Sequence, residues 1–176
     1  MNRALFLDRD GVINQEINYA HRPDQIVFVD GIFDLCQTAQ TLGYFLIVVT
    51  NQAGIGRGYY TEDQFHHLTR WIQQQFQDRG IVLHETYFCP DHPDHGLGVY
   101  KKESFDRKPH PGMILKGIEK YALSPAASVM IGDRETDMQA AHAAGIGTKL
   151  LLCPERPEHT AADVWITGLH QGLSFL

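Results

Sequence analysis

The sequence predicts an α/β fold, a doubly wound parallel sheet with helices on both faces. Short aliphatic, β-branched runs alternate with segments of helical period, the pattern of strands joined by crossover helices. The run "YFLIVVT" is apolar almost throughout, as a strand covered on both faces must be. Polar residues recur just past the ends of these runs, where ligands bind in open parallel sheets.

In chain order, "RALFL" (3–7) is a first strand. "GIFDLCQTAQTLG" (31–43) carries apolar residues at helical spacing and stops at Gly43, and "YFLIVVT" (44–50) is the second strand. "TEDQFHHLTRWIQQQFQDRG" (61–80) is a helix: Thr61 caps it, acidic residues fill its first turn, and Phe65, Leu68, Trp71, Ile72 and Phe76 form one stripe. A third strand at "ETYFC" (85–89) leads into a long loop at about 89–110, rich in Pro, His and Gly. "PGMILKGIEKYAL" (111–123) is a helix with Pro in its first turn, "ASVMIG" (127–132) a strand, "ETDMQAAHAAG" (135–145) a helix closed by Gly145, and "TKLLLC" (148–153) a strand. "DVWITG" (163–168) adds a last short strand, and "LHQGLSFL" (169–176) a helical turn or tail.

A chain of 176 residues suits one compact domain, so a single domain over 1–176 is expected. No stretch approaches the roughly 18 apolar residues of a membrane helix, and the start lacks a basic, apolar leader. A net charge of −6 argues against nucleic acid and membrane surfaces as partners, leaving a small molecule. Cys36, Cys89 and Cys153 are odd in number and widely spaced, which suits a reducing compartment; the expected location is the cytoplasm.

Asp8 and Asp10 follow the first strand, Thr50 and Asn51 the second, and Asp133 and Asp137 the strand "VMIG"; Arg107 and Lys108 leave the long loop just before a helix. Converging carboxylates repel one another unless protonated or neutralised by a cation. Oxygen ligands alone favour a hard ion, and Mg²⁺ accepts two or three protein oxygens plus water and phosphate. With the metal and Lys108 drawing charge from a phosphoryl group, an aspartate oxygen can attack phosphorus. Asp10 could protonate the leaving oxygen and later deprotonate water, while Thr50 and the free N–H groups of "TNQAG" hold the transferring oxygens.

"FLDRDGVIN", "VVTNQAGIGRG", "RKPHPGM" and "IGDRETDMQAAHAAG" resemble the four motifs of the haloacid dehalogenase (HAD) superfamily, over nearly the whole chain. "NYAHRPDQIVFVDGIFD", "TNQAGIGRGYYTEDQF" and "CPDHP" are similar to its histidinol-phosphatase-like branch. The resemblance implies a HAD-like Rossmannoid core with Asp8 as nucleophile and Mg²⁺ ligand, Asp10 as general acid/base giving the metal its carbonyl, and Asp133 completing the metal shell. Thr50 and Lys108 would stabilise the phosphoryl group, and Arg107 would recognise substrate. Glu16–Tyr19, Asn51–Ala53 and Arg134 fall at substrate-contact positions, so Tyr19, Asn51, Gln52 and Arg134 join the candidates; Glu16, Ile17 and Asn18 depart from the usual residues. Asp137 would hold Lys108.

The implied activity is Mg²⁺-dependent removal of the 7-phosphate of D-glycero-D-manno-heptose 1,7-bisphosphate through an aspartyl phosphate, supplying nucleotide-heptose and lipopolysaccharide precursors. Histidinol phosphate is the alternative substrate in the same branch, and a phosphate-sensing module without catalysis is the alternative of another class. Asp10 speaks against the sensor, which has no use for an acid/base, and dehalogenation would need neither the metal carboxylates nor Lys108.

Members of this branch often carry a structural zinc in the long loop, held by Cys-x-His and Cys-x-Cys. Here Cys89 is joined by Asp91, Ser104 and Asp106, and one thiolate does not make a closed tetrahedral site. A zinc-free loop is expected, ordered by packing around Tyr100 and Phe105 or by substrate, with His92 and His95 solvated; a site of Cys89 with Asp91, His92 and His95 is the alternative. The short connections leave no room for a cap, so an open site, and a monomer, are expected.

Overall fold

The structure, a computed structural model, describes residues 1–176. Strands β1 (Arg3–Leu7), β2 (Tyr44–Asn51), β3 (Glu85–Cys89), β4 (Val129–Gly132), β5 (Thr148–Leu152) and β6 (Val164–Ile166) form one six-stranded sheet in the order β3-β2-β1-β4-β5-β6. Every pairing is parallel.

Strand alternation builds two cores. Leu5 and Leu7 of β1, Leu46 and Val48 of β2, and Val129 and Ile131 of β4 face one side, where α1 (Ile32–Thr41) and α3 (Glu62–Gln77) pack. Ala4 and Phe6, Ile47 and Val49, and Met130 face the other, against α4 (Gly112–Tyr121) and α5 (Glu135–Ala143). Fully burying each large aliphatic side chain stabilises the fold by about 1.5–3 kcal/mol. Both faces are therefore apolar in the central strands, and alternation with polar residues disappears from their sequence.

Local chemistry fixes the helix starts. Thr61 Oγ1 accepts from Gln64 N at 3.1 Å, and Gln64 Oε1 accepts from Thr61 N at 2.9 Å, a reciprocal cap for α3. Pro111 lies just ahead of α4, in the N-cap position, instead of within its first turn. A four-residue helix, α2 (Ala53–Gly56), follows β2 where no apolar period announces one, and the tail forms a 3-10 helix over Leu169–Phe175. No helix is long and apolar enough to cross a membrane.

Between β3 and α4 the chain has one 3-10 turn, Gly98–Tyr100. The Tyr100 hydroxyl donates to Glu62 Oε1 at 2.9 Å, and Leu97 N donates to Gly56 O at 2.7 Å, tying the loop to α3 and α2. Phe105 does not share that role, being 61% exposed. The loop is anchored at Tyr100, by this hydrogen bond and by packing against the Ile55, Tyr60 and Phe65 cluster, without Phe105.

Candidate active site

β1 lies at the centre of the sheet, and strand order reverses between it and β4. The crevice beyond that switch point is where an open parallel sheet binds ligands. It holds a cleft of about 410 Å³ lined by Asp8, Asp10, Tyr19, Asn51, Gln52, Arg107, Lys108 and Arg134 among others.

Lys108 is the buried centre of the site. Its ammonium lies 2.9 Å from Asp8 Oδ1 and 2.6 Å from Asp137 Oδ1, and it donates to Val49 O at 2.8 Å. Burial works against its charge, but Asp137 and Asp8 outweigh that and hold its pKa above the usual lysine range. Burial and the neighbouring Asp137 push Asp8 well above the carboxylate range despite Lys108. Asp133 is raised to about 6, by burial first and then by Asp137. One ammonium does not neutralise three carboxylates taken out of water.

Asp8, Asp133 and Asp137 place carboxylate oxygens within 4.8 Å of one another. Asp137 is committed: Oδ1 pairs with Lys108, and Oδ2 accepts from Asp133 N at 3.2 Å and Arg134 N at 3.0 Å, capping α5. Asp133 Oδ1, by contrast, is buried with no hydrogen-bond partner. An orphaned carboxylate oxygen beside Asp8 fits a hard divalent cation such as Mg²⁺, which these two side chains could hold.

Two glycines admit this crowding. Gly11 has φ +90°, and a Cβ there would lie 2.1 Å from Asp133 Oδ2. A Cβ on Gly132, at the end of β4, would lie 2.3 Å from that of Asp137. Both carboxylates reach the switch point only past bare backbone.

The structure brings the other candidates to the same cleft in different ways, except Thr50, which is fully buried behind Gln52 and does not line it. Asn51 donates to Lys108 O at 3.1 Å and accepts from Lys108 N at 3.0 Å, so its amide holds the lysine's own peptide unit. Gln52 is buried; its Nε2 donates to Asp10 Oδ2 at 3.0 Å and to Thr50 Oγ1 at 2.8 Å, and its Oε1 accepts from the Tyr60 hydroxyl. Both amides line the cleft and at the same time hold protein groups of its wall. Tyr19 sits at the rim with φ +62°, its ring 4.7 Å from that of Tyr59. Arg134 reaches Glu16 at 3.3 Å across the mouth. Arg107 donates to Asp91 O at 3.3 Å, and burial lowers its pKa.

Sequence reasoning passed over Arg9, Arg57 and Tyr60. Arg9, 2% exposed, pairs with Asp10 at 3.0 Å. Arg57 lines the cleft, and its Nε is buried without a partner. The available signals were a charged residue inside the "DRDG" turn and a lone arginine in "GIGRG".

At the loop positions compared with a zinc site, the donor groups have other partners. Burial raises the Cys89 thiol's pKa and disfavours thiolate; Asp106 pairs with Lys116, and Asp91 lies 3.9 Å from Lys102. The Ser104 hydroxyl accepts from Asp106 N at 3.2 Å. Thiolate is scarce and both carboxylates already face ammonium groups.

Fold and site together define a doubly wound α/β enzyme whose chemistry centres on clustered aspartates and one buried lysine. A family model described as HAD-hydrolase-like matches residues 105–164. The chain is 55% identical over 177 aligned residues to D-glycero-alpha-D-manno-heptose-1,7-bisphosphate 7-phosphatase of Burkholderia mallei, covering 99% of this chain and 94% of that protein. It is 43% identical to the D-glycero-beta-D-manno-heptose-1,7-bisphosphate 7-phosphatase of Escherichia coli K12, covering 93% and 87%. A crystal structure of a HAD-like phosphatase from Mesorhizobium loti superposes with a TM-score of 0.88 at 30% identity, covering 99% of this chain and 83% of that one. A structure of D,D-heptose 1,7-bisphosphate phosphatase from B. bronchiseptica, complexed with magnesium and phosphate, gives 0.83 at 24% identity, covering 98% and 97%, and shares the fold. The chain belongs to the HAD-superfamily phosphatases, in the D-glycero-D-manno-heptose-1,7-bisphosphate 7-phosphatase family.

Proposed function

We propose that the protein removes the 7-phosphate of D-glycero-D-manno-heptose 1,7-bisphosphate in a Mg²⁺-dependent reaction. The observation that carries this reading is that one cleft holds both the acidic centre at Asp8 and a pair of cations, Arg57 and Arg107, with His92 beside them. Desolvation first and then Arg107 lower the His92 pKa, so the two arginines carry the positive charge of this wall. A cationic wall beside a phosphoryl site suits a substrate with two phosphates. Histidinol phosphate, whose far end is an amine and an imidazole, would meet repulsion there.

Asp8 Oδ1 is tied to Lys108 and to Arg9 N at 2.8 Å, which leaves Oδ2 to attack phosphorus. The bond from phosphorus to the C7 oxygen breaks as the aspartyl phosphate forms, and Asp10 gives that oxygen its proton. Water then attacks the phosphoryl group, Asp10 takes its proton, and phosphate leaves Asp8 free. Lys108 and the Thr50 hydroxyl stabilise the transferring oxygens. Mg²⁺, held by Asp8, Asp133 and the Asp10 carbonyl, supplies the positive charge that lets a carboxylate approach a phosphate dianion. Tyr19 and Arg134 border the sugar. The loop at 89–110 works without zinc, and every group in this reaction comes from one chain, which supports a monomer.

The relative at 55% identity carries the α anomer in its name, which favours α over β. Phosphate release from both heptose 1,7-bisphosphate anomers and from histidinol phosphate, with Mg²⁺, tests the reading through kcat/KM. A heptose bisphosphate is expected to lead, the α anomer first; a lead for histidinol phosphate would remove the substrate reading.

A further inference from the structure

Asp10 is a tightly held carboxylate of the cleft, with both oxygens engaged. Its Oδ1 accepts from Asn14 Nδ2 at 3.0 Å and Arg9 Nη2 at 3.0 Å; its Oδ2 accepts from Gln52 Nε2 at 3.0 Å and again from Arg9 Nη2, at 3.1 Å. The clamp has two arms. On one, Arg9 is buried, its guanidinium also donates to Ala20 O at 2.8 Å, and it lies over the Phe65 ring, 5.9 Å from the centroid. On the other, the Tyr60 hydroxyl donates to Gln52 Oε1, which obliges the Gln52 NH₂ to face Asp10 and Thr50.

The arms meet again at the substrate rim. Ala20 follows Tyr19, and Asn18 and Tyr19 both hold left-handed backbone, with φ +59° and +62°. His21 Nδ1 lies 2.8 Å from Tyr19 O, and the His21 ring stacks on Tyr60 with centroids 5.1 Å apart and planes 4° apart. Asp10, Arg9, the 19–21 segment, Tyr60 and Gln52 thus close a circuit in which the acid/base carboxylate and the Tyr19 rim share their supports.

We infer that Arg9 and Tyr60 are positioning residues that aim the Asp10 carboxyl group at the leaving oxygen, through the direct guanidinium contact and through Gln52 respectively. Neither touches the reacting atoms. In the first half-reaction the phosphorus–oxygen bond breaks as Asp8 bonds to phosphorus, and the Asp10 proton passes to the departing oxygen. An alkoxide leaving group needs that proton, whereas a nitrophenolate leaves without it. Misaiming Asp10 therefore penalises alkyl phosphates selectively in the first half-reaction, which kcat/KM reports, whereas its effect on the later attack of water is the same for every substrate; loss of packing alone does not give that selectivity.

This inference rests on the phosphatase reading, and the test separates the two. Wild type, Tyr60→Phe, Arg9→Met and Arg9→Lys are compared on a heptose 1,7-bisphosphate, on a simple alkyl phosphate monoester and on p-nitrophenyl phosphate. General acid catalysis contributes about 10²–10⁴ in rate, so partial misaiming by Tyr60→Phe is expected to lower the ratio of alkyl to aryl kcat/KM, which reports the first half-reaction alone, about tenfold. Arg9→Met lowers the ratio further, and Arg9→Lys, which keeps the charge without the fork, recovers part of it. Equal losses on alkyl and aryl substrates, or no loss, would overturn the inference. Should Arg9→Met not fold, Tyr60→Phe, which removes one hydroxyl, decides alone. Should wild type turn over the alkyl monoester but not the bisphosphate, the substrate assignment fails while the positioning test still runs.

Discussion

Lys108 Nζ lies 2.6 Å from Asp137 Oδ1, and the two side chains are 3% and 1% exposed. Asp137 is not a spectator of the aspartate cluster: one oxygen fixes the lysine, and the other caps α5 through Asp133 N and Arg134 N. An asparagine has one acceptor for these two duties, and its NH₂ would face either an ammonium or backbone N–H groups. Breaking a buried pair costs about 3–5 kcal/mol. Asp137→Asn is therefore expected to destabilise the protein by that order in urea unfolding and to lower kcat about tenfold or more by releasing Lys108.

Gly11→Ala is a probe of the cation site. The new methyl would need the space of Asp133 Oδ2 at a backbone angle that alanine resists. The expected outcome is a large loss of Mg²⁺ affinity, seen as a rise in the Mg²⁺ concentration for half-maximal activity, with a smaller change in substrate KM at saturating metal. An unchanged Mg²⁺ requirement would mean that Asp133 does not serve the metal.

The raised carboxyl of Asp133 sets a pH dependence for the metal-free protein. A carboxyl with a higher pKa folded than unfolded contributes stability that is complete below its unfolded value and is lost as pH rises through the folded one. For Asp133 that window runs from 3.8 to about 6, and Asp8 shifts in the same direction. Above the window Mg²⁺ takes over the neutralising role of the proton. Thermal melts should show a larger rise in Tm on adding Mg²⁺ at pH 8 than at pH 5, and Asp133→Asn should abolish most of that difference. A Mg²⁺ effect that shrinks with rising pH would contradict this.

Much of this site could be read from sequence because strand ends are short-range facts. Asp8, Thr50 and Asp133 each follow an apolar run, and a parallel sheet brings such ends to one edge whatever the details between them. The "TEDQ" cap of α3 was legible for the same reason. Illegible were the relationships across the chain. Asn51 and Lys108 are 57 residues apart, and Gln52 finds Asp10 at a separation of 42; nothing local distinguishes an amide that grips protein from one that grips ligand. Helix α2 was hidden because "AGIG" has no period to detect, and Phe105 was expected inside on hydrophobicity alone.

The cationic wall predicts a split between substrates. Arg57→Ala or Arg107→Ala is expected to raise KM for heptose 1,7-bisphosphate about tenfold or more, since a charged hydrogen bond is worth roughly 1.5–3 kcal/mol. The same variants should change KM for a heptose 7-phosphate, which lacks the second phosphate, by less than about threefold. Steady-state kinetics on the two sugars checks this, and equal effects would place the arginines at the reacting phosphate instead.

The most direct test of the account is which phosphate leaves. ³¹P NMR following heptose 1,7-bisphosphate with enzyme and Mg²⁺ should show the C7 resonance decay into inorganic phosphate while the C1 phosphate persists as heptose 1-phosphate, with no turnover by Asp8→Asn. Loss of the C1 phosphate first, or turnover that survives Asp8→Asn, would contradict it.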